Sequence, residues 1–193
     1  KNKPKKGEKI LILGSGFIGL LIISLLNIKY KKIDLTVIDR NDHKLKMVPR
    51  NFKKFNPKKK SSNLKNLFNK FDYIIETTGN NKLIAEIFKF AKNKASLAFM
   101  GNINDDVSFK KKEINMILRK ELKLFGVWNS NYKNPIQNDW IEVIKFFKKG
   151  FKPSKFISHK IQLENIPIFI KKIFLSRKKN RKFNFLKIVA LND

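Results

Sequence analysis

Gly14, Gly16 and Gly19 stand in the spacing G-x-G-x-x-G at the end of the apolar run Lys9-Ile-Leu-Ile-Leu13, and Asp39 closes a second run, Leu35-Thr-Val-Ile38, twenty residues after Gly19. Glycines so placed between a strand and a helix leave room for phosphate oxygens and aim helix N–H groups at them. Gly14 allows the tight strand-to-helix turn, Gly16 has no side chain to obstruct a pyrophosphate, and Gly19 lets the helix lie close on the sheet. A carboxylate at Asp39 accepts hydrogen bonds from both hydroxyls of an adenosine ribose and repels a 2′-phosphate, so the pattern points to NAD over NADP. The glycine spacing by itself recurs by chance in loops; the strand before it, the helix after it and the acid at the right distance give it meaning. A membrane span is the competing reading of Ile10 to Ile28, nineteen residues with almost no polarity. The central glycines, the short strand pattern before them and the second strand soon after argue against it.

These residues need a scaffold, and the rest of the chain spells one. The segment Asn41 to Val48 has helical character and stops before Pro49; Phe52 to Phe55 suits a short third strand, and Lys58 to Asn69 a loop or short helix. Phe71 to Glu76 reads as a fourth strand running into Thr77-Thr78-Gly79, followed by Leu83, Ile84, Ile87, Phe88 and Ala91 at helical spacing. Ala95 to Met100 reads as a fifth strand closed by Gly101, Glu113 to Lys120 as a helix and Leu122 to Trp128 as a sixth strand. Asp139 with Glu142 forms a capping-box pattern opening a helix that would turn Trp140, Val143, Ile144 and Phe147 inward and stop at Gly150. Strands alternating with helices predict an α/β fold, a doubly wound parallel six-stranded sheet over residues 1–152. Residues 153–193 follow a complete six-strand unit: Lys155 to Ile161 as a strand, Ile166 to Phe174 as a helix and Phe185 to Ala190 as a last strand. They are expected to form a small appendage belonging to another sheet.

Composition narrows the classes of function. At 193 residues the chain can bury one good core, and without cysteine it has neither a disulfide framework nor a cysteine zinc site. The net charge of +29 invites a nucleic-acid reading. Against it, lysine outnumbers arginine 39 to 5, although arginine is the better phosphate clamp, and Lys, Asn, Ile and Phe, all with AT-rich codons, fill 104 positions. The lysines run from end to end with clusters at 58–60, 110–112 and 177–182, which reads as a solvated surface in an AT-biased chain. No signal peptide is visible, the chain begins at Lys1, and a cytoplasmic protein with an upstream part is expected.

In order along the chain, the residues resemble the coenzyme-binding half of the medium-chain, zinc-dependent alcohol and polyol dehydrogenases. The likeness is carried by Leu-Gly14-Ser-Gly-Phe-Ile-Gly-Leu-Leu, Val-Ile-Asp39-Arg-Asn-Asp-His-Lys44-Leu, Phe-Asp-Tyr-Ile-Ile-Glu76-Thr-Thr-Gly79, Phe-Met-Gly101-Asn, Ile-Leu-Arg119-Lys-Glu-Leu-Lys-Leu-Phe-Gly126 and Phe156-Ile-Ser-His159-Lys-Ile-Gln-Leu-Glu164. The run Arg119-Lys-Glu-Leu before Gly126-Val-Trp128-Asn-Ser130, with Trp140 following, is most similar to the family's galactitol-1-phosphate 5-dehydrogenase branch, with sorbitol-type enzymes close behind.

That resemblance implies a Rossmann fold, NAD as coenzyme, a polyol phosphate as substrate, and roles for particular residues. Gly14, Ser15, Gly16, Phe17, Ile18 and Gly19 would form the phosphate turn, with Ile18 near the pyrophosphate and nicotinamide ribose. Asp39 would hold the adenosine ribose, with Arg40 beside it, Lys44 at the adenine end and Thr78 at the end of the fourth strand. Met100, Gly101 and Asn102, with Trp128, Asn129 and Ser130, would line the nicotinamide pocket; ordinary core packing is the alternative for Met100 and Trp128. Residues 153–193 would be the remnant of a GroES-like catalytic domain whose zinc is held by the upstream part. His43 and His159 lack Cys or Glu at ligand spacing, so no metal ligand and no catalytic residue is assigned here. The expectation is a chain that binds NAD and is inactive by itself. A homo-oligomer through the sixth strand is implied as well, and a basic nucleic-acid binder or a non-catalytic oligomer partner stands as the alternative.

Overall fold

The computed structural model describes residues 3–30, 32–59, 63–178 and 184–192; Lys60 and most of the basic cluster 177–182 lie outside them. Residues Lys1–Phe151 and Lys152–Asp193 form two compact units. In the first, six parallel strands form one sheet: β1 (Lys9–Leu13), β2 (Asp34–Ile38), β3 (Lys53–Phe55), β4 (Phe71–Glu76), β5 (Ala91–Phe99) and β6 (Lys123–Gly126), in the order β3-β2-β1-β4-β5-β6. The intervening helices are α1 (Phe17–Lys29), α2 (Asp42–Lys46), α3 (Asn81–Glu86) and α4 (Lys111–Arg119), with α5 (Asp139–Lys148) after β6.

Pairing on both edges explains the composition of the central strands. Ile10 to Leu13 of β1 are buried to the last atom, as are Val37 in β2 and Ile74 in β4, because helices cover both faces of a parallel sheet. The apolar run from Ile10 to Ile28 therefore divides into a buried strand, a glycine turn and a 13-residue helix. Among the described residues no helix is long and apolar enough to cross a membrane. The chain moves outward from β1 through β2 to β3, then returns to the middle and moves the other way through β4 to β6. The reversal lies between β1 and β4, and at such a point the loops leaving the carboxyl ends of the strands part to form a crevice.

Several expectations are corrected in detail. Ala91 belongs to β5, not to the helix before it: a single turn of tight helix over Ile87–Lys89 ends α3, and Phe71 pairs with Ala91 before the ladder shifts at a bulge containing Lys94, with φ of 61°. β6 ends at Gly126, leaving Trp128 outside the strand and 77% exposed, which excludes core packing for it. The cap of α5 is Asn138, whose side chain accepts from the Ile141 N–H, while Asp139 turns back to accept from the Asn131 N–H. The face of α5 is corrected too. Trp140, Ile144 and Phe147 are 65%, 49% and 49% exposed, and it is Ile141, Val143 and Phe146 that are half-buried.

In the second unit, β7 (His159–Gln162) and β8 (Ile188–Leu191) pair in parallel, joined through α6 (Ile166–Lys178). Both strands are shorter than expected: a turn of tight helix over Pro153–Phe156 delays the start of β7 to His159, and β8 starts only at Ile188. Ser158 fastens the start of the pair, its hydroxyl donating to the Lys187 carbonyl and accepting from the Leu186 N–H.

Two polar ties in the first unit join elements far apart in sequence. The Lys120 ammonium donates to Asn69 Oδ1 and to the carbonyls of Phe88 and Ala91, fastening the end of α4 to the start of β5, and burial pushes its pKa below the ordinary lysine value. Asp72 in β4 accepts from the Lys9 N–H at 2.8 Å and from the Lys92 ammonium at 2.9 and 3.1 Å. Burial raises the Asp72 pKa, but these donors outweigh it and hold the carboxyl below its ordinary 3.8. The folded chain thus gives up that proton more readily than the unfolded one, so the contribution is complete above the unfolded value and vanishes as pH falls through the folded one. Asp72→Asn is expected to lose about 1 kcal/mol at pH 7 in urea unfolding and to show a shallower fall in stability below about pH 4 than the wild type. Parallel pH curves would contradict this.

Candidate coenzyme site

The carboxyl edge of the sheet bears a groove of about 510 Å³, and the glycine turn forms its inner wall. At Gly14 the backbone adopts φ of +102°, a region that costs a residue with Cβ, and its N–H donates to the Ile38 carbonyl at 2.8 Å. Gly16 then opens α1 with φ of −67° and ψ of −174°, and no side chain caps the helix. A Cβ on Gly16 would meet nothing within 4 Å, so the space before the helix N-terminus stays open because the side chain is missing. A Cβ on Gly19 would stand 2.1 Å from the Gly14 carbonyl oxygen. Gly19 therefore sets the close seat of the helix on the turn. An open helix N-terminus of 13 residues beside bare backbone suits an anionic group.

Asp39 follows β2 by one residue and reaches across to this turn. Its Oδ2 accepts from the Ser15 N–H at 2.7 Å and from the Ser15 hydroxyl at 2.9 Å, and its Oδ1 accepts from the Asn41 N–H at 2.8 Å. Ser15 is fully buried, so it serves as a strut between turn and acid. With Oδ2 doubly engaged, Oδ1 keeps a lone pair for a donor such as a sugar hydroxyl. Asn41 caps α2 through the His43 and Lys44 N–H groups, which brings Lys44 to the groove next to Arg40.

Of the residues singled out in the sequence, Gly14, Gly16, Asp39, Arg40, Lys44 and Thr78 line this groove together. Ser15 and Gly19 are buried behind it, whereas Ile18 is 49% exposed at the first turn of α1, next to Phe17. Met100, Gly101 and Asn102 lie at the end of β5 and Trp128, Asn129 and Ser130 beyond β6, held side by side by the Val127 N–H on the Phe99 carbonyl. Neither set lines the groove. His43 sits at the exposed start of α2, and His159 lies in β7 with Nδ1 3.0 Å from the Ser158 hydroxyl.

The groove also uses residues that sequence reasoning did not assign to a site: Pro57 after β3, Thr77 and Asn80 after β4, Asn81, Lys82, Leu83 and Glu86 on α3, and Asn104 and Asp105 after β5. Their common signal is position, since each follows the carboxyl end of a strand, and Lys82 with Glu86 shares a helix face at i, i+4. Among the described residues no three His, Cys, Asp or Glu are grouped to hold a metal ion.

The family model of the zinc-binding dehydrogenases matches residues 18–149, and the chain belongs to that family. It is 30% identical over 138 residues to the galactitol 1-phosphate 5-dehydrogenase of Escherichia coli K12, a match covering 67% of this chain and 39% of that relative. The solved galactitol-1-phosphate dehydrogenase of Escherichia coli superposes with a TM-score of 0.75 at 23% identity, over 96% of this chain and 54% of that one. A short chain alcohol dehydrogenase of Escherichia coli CFT073, complexed with cofactor NADH, superposes with a TM-score of 0.70 at 21% identity, over 97% of this chain and 53% of that one. At such identities the superpositions show the fold, and the chain spans about half the length of the proteins it matches.

The two glycines separate fold from ligand. Gly16→Val is expected to leave the melting temperature within about 2 °C and to abolish measurable dinucleotide binding, since its side chain would fill the empty space. Gly19→Ala is expected to cost at least about 3 kcal/mol in thermal unfolding, because it drives a methyl group into a backbone carbonyl. The reverse ranking in melting temperature would contradict the geometry.

Proposed function

We propose that this chain is the coenzyme-binding part of an NAD-dependent, zinc-type dehydrogenase that moves hydride between a polyol phosphate and the nicotinamide. The observation that carries the coenzyme reading is the Asp39 carboxylate, tied by Ser15 to an open glycine turn at the switch point of the sheet. In this reading Gly14 to Gly19 receive the pyrophosphate. Asp39 takes the adenosine ribose with Arg40 and Lys44 at its outer side, Thr78 lies along the dinucleotide, and Met100 to Asn102 with Trp128 to Ser130 receive the nicotinamide end. When bound, the coenzyme would supply the hydride acceptor. The residues themselves orient the dinucleotide and repel a 2′-phosphate at Asp39. The polyol-phosphate substrate is taken from the relative of 30% identity.

Zinc does not fit the described residues: no cysteine is present and no three ligating side chains converge. We assign the metal to the portion of the enzyme that these 193 residues do not span, and residues 153–193 to the domain that carries it. The chain by itself then binds coenzyme and does not turn over a polyol. The outer strand β6, with Leu124 39% exposed, offers an edge for a second copy.

Titration of the purified chain with NADH, followed by heat or by nicotinamide fluorescence, tests this. Saturable binding with Kd below about 1 mM is expected, weakened at least about tenfold in Asp39→Ala, with no oxidation of a galactitol phosphate by the chain alone. No signal at millimolar coenzyme overturns the reading.

A further inference from the structure

Glu76 ends β4 and has no exposed surface. Its Oε1 accepts from the Thr78 N–H at 2.6 Å, the Thr78 hydroxyl at 2.5 Å and the Gly79 N–H at 3.0 Å. Its Oε2 is buried and finds no hydrogen-bond partner among the described residues. None of the ion pairs among those residues includes it, although the chain carries 44 lysines and arginines. A buried acid with one oxygen unused and no counter-charge is costly in a fold.

The surroundings show what lies over this group. The Glu76 carbonyl accepts from the Met100 and Gly101 N–H groups at 2.9 and 3.2 Å, which brings the loop after β5 onto the loop after β4. A Cβ on Gly101 would stand 2.7 Å from Glu76 Oε2 and 2.3 Å from the Gly79 nitrogen, and one on Gly79 would stand 1.7 Å from the Asn102 carbonyl oxygen. The two loops meet as bare backbone, and their main chain covers the acid.

We propose that Glu76 is a positioning residue that biases the site toward oxidised coenzyme, through a fixed negative charge beneath the loops that carry the nicotinamide. This rests on the coenzyme reading above, in which Met100 to Asn102 receive that end. Oxidised nicotinamide bears a positive charge and the reduced ring none, so a fixed charge tells the two apart where shape and hydrogen bonding hardly do. Two unit charges in an effective dielectric of about 20 need lie no closer than about 12 Å to move an affinity ratio by roughly tenfold.

Titration calorimetry of the wild type and Glu76→Gln with NAD+, NADH and ADP-ribose reads this directly. Glutamine keeps an oxygen for Thr78 and Gly79 and removes the charge. The Kd for NAD+ is expected to rise about tenfold relative to that for NADH, with ADP-ribose, which lacks the nicotinamide, unchanged. Equal changes for NAD+ and NADH would mark a structural role and overturn the proposal while leaving the coenzyme reading intact; a wild type that binds none of the three overturns both. A measurement free of any variant is the wild-type affinity for NAD+ against its uncharged benzamide isostere. NAD+ is expected to bind at least about fivefold more tightly, and equal affinities overturn the proposal.

Discussion

The chain leaves β1 through Gly14 at φ of +102°, in a space where a Cβ would lie 2.6 Å from Thr77 Oγ1 and 2.8 Å from Thr78 Cγ2. The rest of the carboxyl edge is arranged around that turn. It fixes the direction of α1, whose Gly19 rests on the Gly14 carbonyl, and so decides where the helix N-terminus points. It also locks β1 to both neighbours at their carboxyl ends. The Gly14 N–H meets Ile38 at the end of β2, and Thr77, just past β4, donates its hydroxyl to the Leu13 carbonyl. The opening in the sheet edge thus depends on a place where the backbone admits no side chain.

Electrostatics in this chain divide between surface and site. Lysines crowd the surface, and their ion pairs, such as Lys53 with Asp34 and Lys145 with Glu142, are exposed and contribute little. The acids at the carboxyl edge are handled differently. Asp39 and Glu76 are each held by N–H and hydroxyl donors two or three residues distant or from the facing turn, and among the described residues neither pairs with a lysine. Short, fixed donors place a carboxylate more exactly than an ammonium on a flexible stem, which must shed water to pair. The negative groups of the site therefore keep their positions whatever the surface charge does.

The sheet is legible in the sequence because its strands are apolar runs with glycine or an acid at their carboxyl ends: Gly14, Asp39, Glu76 and Gly101 mark the ends of β1, β2, β4 and β5. Legibility declines where isoleucine, phenylalanine and lysine mix without a clear period. Ala91 fits the spacing of a helix, yet Phe71 claims it as a strand partner, and tertiary pairing wins over local pattern. In α5 the bulky residues suggest a core face that the structure exposes: the size of Trp140, Ile144 and Phe147 favours burial, but burial follows the neighbours available. Within the site, the glycine turn and Asp39 are readable from spacing alone. Ser15 as a strut, the three-way clasp of Lys120 and the unpaired oxygen of Glu76 are not, because each depends on which loops the fold brings together.

The central claim is that amides at the start of α1 face a diphosphate while the acid beyond β2 holds a sugar. Amide resonance shifts of the isotope-labelled chain during addition of ADP-ribose test it most directly. The account predicts that the largest shifts fall on Gly14 to Ile18, with a second group at Asp39 to Asn41. Shifts confined to the lysine clusters, with the glycine turn silent, would contradict it.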